Sequence, residues 1–85
     1  MKVHVTGVTS YRQYKEIVDL LESLNKMESC RKEGWNRAGG LLVLDLRYRG
    51  SSENLADVVD RKKIEKGNLM VDDIAPEKLD LSLKM

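Results

Sequence analysis

The stretch AGGLLVLDLRYRGSSENLADVVD, residues 38–60, decides the fold class of this 85-residue chain. A Gly-Gly turn leads into an apolar strand predicted over residues 41–49, whose even positions form one continuous apolar face. Gly50 ends the strand, and two serines open an amphipathic helix predicted over residues 52–62. A strand with one apolar and one mixed face is typical of a sheet that helices cover on one side only.

A second amphipathic helix is predicted earlier in the chain, from residue 11 to residue 26. Ser10 and Gln13 have the S-x-x-Q spacing of a capping box, in which each side chain bonds the backbone of the other residue. Apolar residues then recur at steps of three and four and form one stripe. The stripe consists of Tyr14, Ile17, Val18, Leu21 and Leu24.

The rest of the chain contains three further strands, predicted at residues 2–6, 27–35 and 78–84. The strand at 27–35 is polar, which is typical of a sheet edge, and residues 36–40 form the turn that follows it. Residues 69–71 are a possible short strand, and residues 72–76 are predicted to be a loop. The resulting order is strand, helix, strand, strand, helix, strand.

This order predicts an α+β fold of the ferredoxin-like type. The expected architecture is a two-layer βαββαβ sandwich, with a four-stranded antiparallel sheet and both helices on one face. Residues 1–85 have the length of a single small domain, which we expect to be part of a longer protein. The other face of the sheet is expected to be open to solvent, with the odd positions of the 41–49 strand on it.

Composition excludes several classes of function. Fifteen basic and fourteen acidic side chains leave a net charge of +1, which gives no general attraction to nucleic acid or to anionic lipid. No apolar run approaches the roughly 18 residues that a membrane span needs, so no membrane insertion is expected. The chain has one cysteine and one histidine, too few for a closed zinc site without carboxylates. No catalytic residue, cofactor or metal site is predicted.

Two short segments resemble the motifs of acylphosphatases, which share the predicted topology. GVTSYR at residues 7–12 is similar to their phosphate loop, G-x-V-Q-G-V-x-F-R, and GWNR at residues 34–37 is similar to their G-W-V-R-N motif. The resemblance implies that Arg12 would bind phosphate and that Asn36 would orient the attacking water. The chain departs from the pattern by lacking the upstream Gly and Gln and by having one extra residue before Arg12.

RNA-recognition domains and amino-acid-sensing ACT domains share this topology as well. RNA-recognition domains stack bases on aromatic residues of the central strands. The chain contains no phenylalanine, and Tyr48 is predicted to face the core, so nucleic acid is a disfavoured partner. Gly7 is the one feature that matches the glycine-rich ligand loop of ACT domains.

Residues 5–60 and the final strand, KLDLSL, resemble a different group, the small α/β modules of bacterial envelope proteins. LVLDLRYRGSSENLA is similar to the pattern L-x-V-x-Y-x-G-[ST]-x-x-x-LA of such modules, among them the N-terminal part of flagellar assembly protein T and the BON-like and ring-building modules. The resemblance implies a non-enzymatic module that docks onto a protein partner or onto copies of itself. It also implies the periplasm or cell envelope, if the parent chain carries a signal peptide.

Exposed apolar and arginine side chains on the open sheet face are the candidate contact residues, because these types are enriched at the centres of protein interfaces. The predicted interaction surface consists of Trp35, Leu41, Val43, Arg47 and Arg49.

Overall fold

A computed structural model describes residues 1–61 and 68–84 of the chain as an α+β domain. Two helices and five strands follow one another within these residues. In chain order they are β1 (Lys2–Thr6), α1 (Tyr11–Glu22), β2 (Met27–Asn36), β3 (Leu41–Tyr48), α2 (Ser52–Arg61), β4 (Asn68–Ala75) and β5 (Lys78–Lys84).

Helix α1 begins at the predicted capping box. The Ser10 hydroxyl accepts the Gln13 amide at 3.2 Å, and the Gln13 side chain accepts the Ser10 amide at 3.1 Å. The helix ends at Glu22, four residues earlier than predicted, because the Ser23 hydroxyl donates to the Leu20 carbonyl at 2.6 Å and the chain then turns towards β2. The apolar stripe therefore extends beyond the helix, to the buried Leu24.

The strands form one mixed sheet in the order β2-β3-β1-β5-β4. Strand β3 pairs antiparallel with β2, across the predicted turn at residues 36–40, and antiparallel with β1 on its other side. Strand β5 lies on the other side of β1 but runs parallel to it, with Val3 opposite Leu79 and Val5 opposite Leu81. Strand β4 pairs antiparallel with β5 and forms the second edge of the sheet.

The predicted four-stranded antiparallel sheet of a ferredoxin-like fold is therefore wrong. The predicted loop at residues 72–76 lies mostly within β4, which is a full strand hairpinned to β5. This additional reversal brings β5 into the sheet in the same direction as β1, so that the sheet has five strands and is mixed. Sequence alternation indicated only the short strand at residues 69–71, because Asp72 and Asp73 are typical of a loop and a bulge between Val71 and Asp73 interrupts the period of two.

A single hydrophobic core lies between the helices and one face of the sheet. The predicted apolar faces of β1, β3 and β5 point into it, and Ile17 of α1 and Leu55 of α2 are completely buried there. The core residues that the sequence did not predict are Val8, Ala56 and Leu69. Tyr14, Val18, Tyr48 and Val58, which were predicted to be core, are only partly buried against it.

Helix α2 is joined to β4 by a buried side chain. The Ser52 hydroxyl donates to the Ala75 carbonyl at 2.7 Å, and Ser52 is only 7% exposed. The helix is described as far as Arg61. Its predicted last residue, Lys62, lies outside the described residues.

Candidate docking surface

The five residues predicted to form one contact surface lie in three different places. Leu41, Val43 and Arg47 are on the open face of the sheet, as the alternation of β3 predicts. Arg49 follows the end of β3, where its amide bonds the Lys26 carbonyl and its guanidinium lies 3.6 Å from Glu28. Trp35 is opposite Leu42, a core residue, and therefore lies on the helix-covered face.

A β-bulge explains the position of Trp35. Lys32 is opposite Leu44 and Gly34 is opposite Val43, so that Glu33 is the extra residue of β2 between them. One extra residue exchanges the two faces of every later position in a strand. The bulge thus brings the indole of Trp35 to the side of the sheet where α1 lies.

On the open face of the sheet, several polar side chains contact one another across the strands. Arg31 and Asp45 lie 3.3 Å apart, His4 and Asp80 lie 3.4 Å apart, and Lys2 pairs with the bulged Glu33. Leu41, at 38% exposed, is the large apolar residue of β3 on this face that is open to solvent. Exposed ion pairs contribute little to stability. Arg47 and Lys84, on the same face, form no ion pair among the described residues.

On the helix side, Trp35 is held by a hydrogen bond and by a stacked ring. Its indole Nε1 donates to the Val8 carbonyl oxygen at 2.9 Å. The ring of Tyr14 on α1 stacks on the indole, with 5.2 Å between the ring centroids and 19° between the planes. These two contacts fix the indole between the edge strand and the first helix.

Tyr11 continues the row of rings to the molecular surface. Its centroid lies 5.8 Å from that of Tyr14, about one helical turn towards the N-terminus of α1, and the residue is 61% exposed. The chain has only four aromatic residues, one tryptophan and three tyrosines, and three of them are in this row. Such a concentration at one edge of the domain distinguishes this surface from the open face of the sheet.

Two cations flank the rings. The Lys32 ammonium lies 5.3 Å from the centroid of Tyr14, and the Arg37 guanidinium lies 5.6 Å from the centroid of Trp35, both within cation–π range. We call these five residues the aromatic–basic cluster: Tyr11, Tyr14, Lys32, Trp35 and Arg37.

The backbone beneath the cluster is built from two interlocking turns. The Val8 amide donates to the Gly40 carbonyl at 2.8 Å, which joins the loop before α1 to the β2–β3 turn. Gly7 and Gly40 have φ angles of +86° and +73°, a region that favours glycine. A Cβ at Gly40 would lie 3.2 Å from the Gly7 nitrogen, so the two turns could not approach as closely with a larger residue there.

The segments that resemble acylphosphatase motifs have internal partners. The Thr9 and Ser10 amides donate to the Gln13 side-chain oxygen at 2.9 and 3.1 Å, and the Asn36 side-chain oxygen accepts the Gly39 amide at 3.1 Å. Arg12 is an exposed residue of the first turn of α1. Backbone amides that would cradle a phosphate at this loop are thus used by the capping box.

Among the residues that the structure describes, two titratable groups have shifted pKa values, and neither lies in the aromatic–basic cluster. Burial, and then the nearby Glu22 carboxylate, raise the pKa of the Cys30 thiol from 9.0 to about 11. Burial raises the pKa of Tyr48, whose hydroxyl donates to Asn54 at 2.7 Å. Across residues 1–61 and 68–84, no group of three or more His, Cys, Asp or Glu side chains is placed to hold a metal ion.

A shallow cavity of about 280 Å³ opens between the end of α1 and the start of α2. Its lining includes Leu24, Lys26, Tyr48, Asn54 and Val58. The polar groups of Tyr48 and Asn54 bond each other. The lining of the cavity is thus mixed, with Leu24 and Val58 beside the polar side chains of Asn25 and Lys26.

Sequence reasoning selects Trp35 and misses the other four members of the cluster. The spacing of Tyr11 and Tyr14, three residues apart, is a signal that their rings are neighbours on a helix. The apolar stripe of the predicted helix instead places Tyr14 in the core, and it does not include Tyr11. Their meeting with Trp35 depends on the bulge at Glu33, for which the isolated Gly34 within the strand is a weak signal in the sequence.

Comparisons with known protein families, with curated proteins and with solved structures each gave no match to this chain. Within the residues that the structure describes, neither helix has the length and apolar character needed to cross a bilayer.

Proposed function

We propose that this domain is a non-enzymatic protein-interaction module, and that it docks a protein partner through the aromatic–basic cluster. One observation carries the proposal: the ring of Tyr11 is 61% exposed and continues the stacked pair of Tyr14 and Trp35 into solvent. Tryptophan, tyrosine and arginine are the residue types that contribute most binding energy at protein interfaces.

The cluster is also rigid enough to bind without a large loss of entropy. Aromatic side chains have few rotatable bonds, and the Trp35 indole is already fixed by its bond to the Val8 carbonyl. Residues that are ordered before binding lose less conformational freedom when a partner arrives. The geometry therefore supports a preformed contact surface.

A purely structural role accounts for only part of the cluster. Tyr14 and Trp35 pack against the core, so stability alone explains their presence. Tyr11 does not belong to that group, because most of its surface is in water and its hydroxyl has no hydrogen-bond partner among the described residues. An exposed aromatic ring that adds little to the core is the part of the cluster that a docking function explains.

The bacterial envelope belongs to the same proposal. Its support is the resemblance of LVLDLRYRGSSENLA to envelope modules, and a partner in that compartment would be another envelope protein or a second copy of this chain. Fusion of a reporter enzyme to the full-length protein, followed by cell fractionation, tests the compartment independently of the binding surface.

The docking proposal is tested by comparing two exposed apolar sites on opposite faces. Binders are selected from a displayed library of random dodecapeptides, and their dissociation constants are measured by isothermal titration against the wild type, Tyr11→Ser and Leu41→Ser. We expect Tyr11→Ser to weaken binding by about tenfold or more, because interface aromatic residues commonly contribute over about 1 kcal/mol. Leu41→Ser, which changes the open sheet face, should leave the affinity within about twofold.

Sedimentation of the wild type over a range of concentrations tests whether the domain associates with itself. A rise in mass with concentration that Tyr11→Ser abolishes would make a second copy the partner. Selected binders and self-association that are both insensitive to Tyr11→Ser would contradict docking at the cluster.

A further inference from the structure

The aromatic–basic cluster lies in a group of cations that have no acidic partner among the described residues. Lys32 and Arg37 flank the stacked rings, and Arg12 and Lys15 lie on the same first turns of α1 as Tyr11. All four of these cations are exposed. In residues 1–61 and 68–84, none of them forms an ion pair with a carboxylate.

Three basic residues elsewhere on β2 and its neighbouring strands have acidic partners, whereas Arg47 on β3 and Lys84 on β5 have none among the described residues. Arg31 pairs with Asp45, Lys2 with Glu33, and Arg49 with Glu28. The one carboxylate between Lys32 and Trp35 in sequence, Glu33, is thus the bulged residue and is bonded to Lys2 of β1. The bulge removes the nearest acid from the neighbourhood of the rings.

The acids of α1 are also directed away from Tyr11. Lys15 is one turn along the helix from Tyr11 and shares its face, whereas Glu16 is rotated by roughly 140° around the axis from it. Glu16 and Asp19 lie one turn beyond Arg12 and Lys15, so these acids are the helix-surface neighbours of those two cations, although neither pair is within ion-pair distance. The positive charge beside the exposed ring therefore comes mainly from Lys32 and Arg37, with Lys15 one turn from Tyr11.

We propose that the partner segment received by the aromatic–basic cluster is acidic, with carboxylates for Lys32, Arg37 and Lys15 and an apolar side chain for Tyr11. This inference rests on the proposed function and adds the chemistry of the partner to it. Opposite charge across an interface speeds association and excludes partners of the wrong charge.

Single-stranded nucleic acid, the other flexible anion with flat groups, fits the cluster less well. Proteins that bind it without sequence preference stack successive bases on open aromatic faces. Tyr14 already stacks on Trp35 and has Lys32 over its ring, and Trp35 has Arg37 over its own. Of the three rings in the cluster, Tyr11 alone is left for a base, which favours a protein segment as the occupant.

The test uses the only tryptophan of the chain as its reporter. Fluorescence of Trp35 is recorded while three probes are titrated: a dodecapeptide of alternating Glu and Leu, the same peptide with Gln for every Glu, and a twelve-nucleotide oligothymidylate. We expect the acidic peptide to bind about tenfold more tightly than the Gln peptide, with an affinity that falls as salt is added.

Matched charge reversals locate the site. The double variant Lys32→Glu and Arg37→Glu should lower the affinity for the acidic peptide by about tenfold or more. The control, Arg47→Glu and Lys84→Glu, makes the same change of charge on β3 and β5 and should have an effect of less than about threefold. Circular dichroism of both variants verifies that each is folded.

The other possible outcomes distinguish failure of the acidic-partner inference from failure of the proposed function. Equal binding of the Glu and Gln peptides, or an equal loss in both charge-reversal variants, overturns the acidic partner while a Tyr11-dependent interaction still supports the proposed function. Tighter binding of the oligothymidylate overturns the acidic protein segment in favour of nucleic acid. Random-library binders that are acidic but insensitive to Tyr11→Ser contradict the proposed function itself.

Discussion

The indole Nε1 of Trp35 donates to the carbonyl oxygen of Val8 at 2.9 Å, a contact that joins the edge strand of the sheet to the loop before the first helix. The amide of Val8 is itself bonded to Gly40, at the turn between β2 and β3. Val8 is thus bonded to both ends of the β2–β3 connection, through its carbonyl to Trp35 and through its amide to Gly40. The aromatic–basic cluster has its position because of this junction.

Removal of the indole N–H should therefore destabilise the domain. In Trp35→Phe the ring can still stack on Tyr14, but the Val8 carbonyl loses its partner, so we expect a loss of roughly 1–2 kcal/mol in the free energy of unfolding. Urea unfolding, monitored by circular dichroism, measures this loss of stability. Tyr11→Phe, which removes an exposed hydroxyl from the same cluster, should change stability by less than about 0.5 kcal/mol. Equal stabilities for the two variants would contradict the role of the bond.

Two glycines should respond differently to alanine. A Cβ at Gly7 would lie 2.6 Å from the Leu83 carbonyl oxygen, and its φ of +86° strains any L-residue. We expect Gly7→Ala to lower stability by about 2 kcal/mol or more. A Cβ at Gly34 would meet no atom of the described residues within 4 Å, so alanine there should change stability by less than about 0.5 kcal/mol. Thermal unfolding of the two variants, compared side by side, distinguishes a glycine that a close backbone contact requires from a strand glycine with open space around it.

The additional strand β4 makes a testable distinction between two apolar residues that look alike in sequence. Leu69 is 4% exposed and belongs to the core, while Ile74 is 41% exposed. Leu69→Ala should destabilise the domain by roughly 2–4 kcal/mol, the usual range for a buried leucine. Ile74→Ala should have an effect of less than about 1 kcal/mol. Similar losses at both positions, measured by urea unfolding, would mean that β4 does not pack as a five-stranded sheet requires.

The Cys30 thiol should react slowly with alkylating agents near neutral pH. Burial and the Glu22 carboxylate raise its pKa to about 11, and only the thiolate is nucleophilic. At pH 8 roughly a thousandth of the thiol is ionised. The rate of reaction with iodoacetamide should rise steeply between about pH 9 and 11, where that of a free thiol has begun to level off.

A substitution separates the two causes of this pKa shift. Glu22→Gln should lower the pKa of Cys30 while leaving it above 9.0, because burial is the larger cause. Since the folded pKa is raised, the folded state favours the neutral thiol. The contribution of Cys30 to stability is present below about pH 9 and is lost as pH rises towards about 11. A rate profile with its midpoint at about pH 9 would contradict the burial of this side chain.

Local signals predicted the helices and most strands of this domain. The start of α1 was predicted from Ser10 and Gln13 because a capping box satisfies backbone amides within four residues of each other. The buried face of β3 was predicted from its alternating leucines for a similar reason, since a period of two puts them on one face wherever the strand lies. Neither inference requires knowledge of distant parts of the chain.

Strand direction and the candidate site were decided over longer distances. Asp72 and Asp73 make the β4 segment look like a loop, and its pairing with β5 becomes evident only when Leu69 is seen beside Leu83. Trp35 was placed on the wrong face because alternation along β2 is broken at Glu33. A bulge contributes to both errors, since one extra residue shifts the register of every later position in the strand.

From the amino-acid sequence alone came the two amphipathic helices, the core faces of β1, β3 and β5, and the exclusion of a metal site built from cysteine and histidine. These follow from hydrophobic periodicity, capping and residue counts, which act over a few residues. The tertiary structure decided that β5 runs parallel to β1 and that Tyr11, Tyr14 and Trp35 meet at one edge. Those outcomes depend on how strands pair and where a bulge is accommodated, and such choices are made by the packing of the whole sheet against its helices.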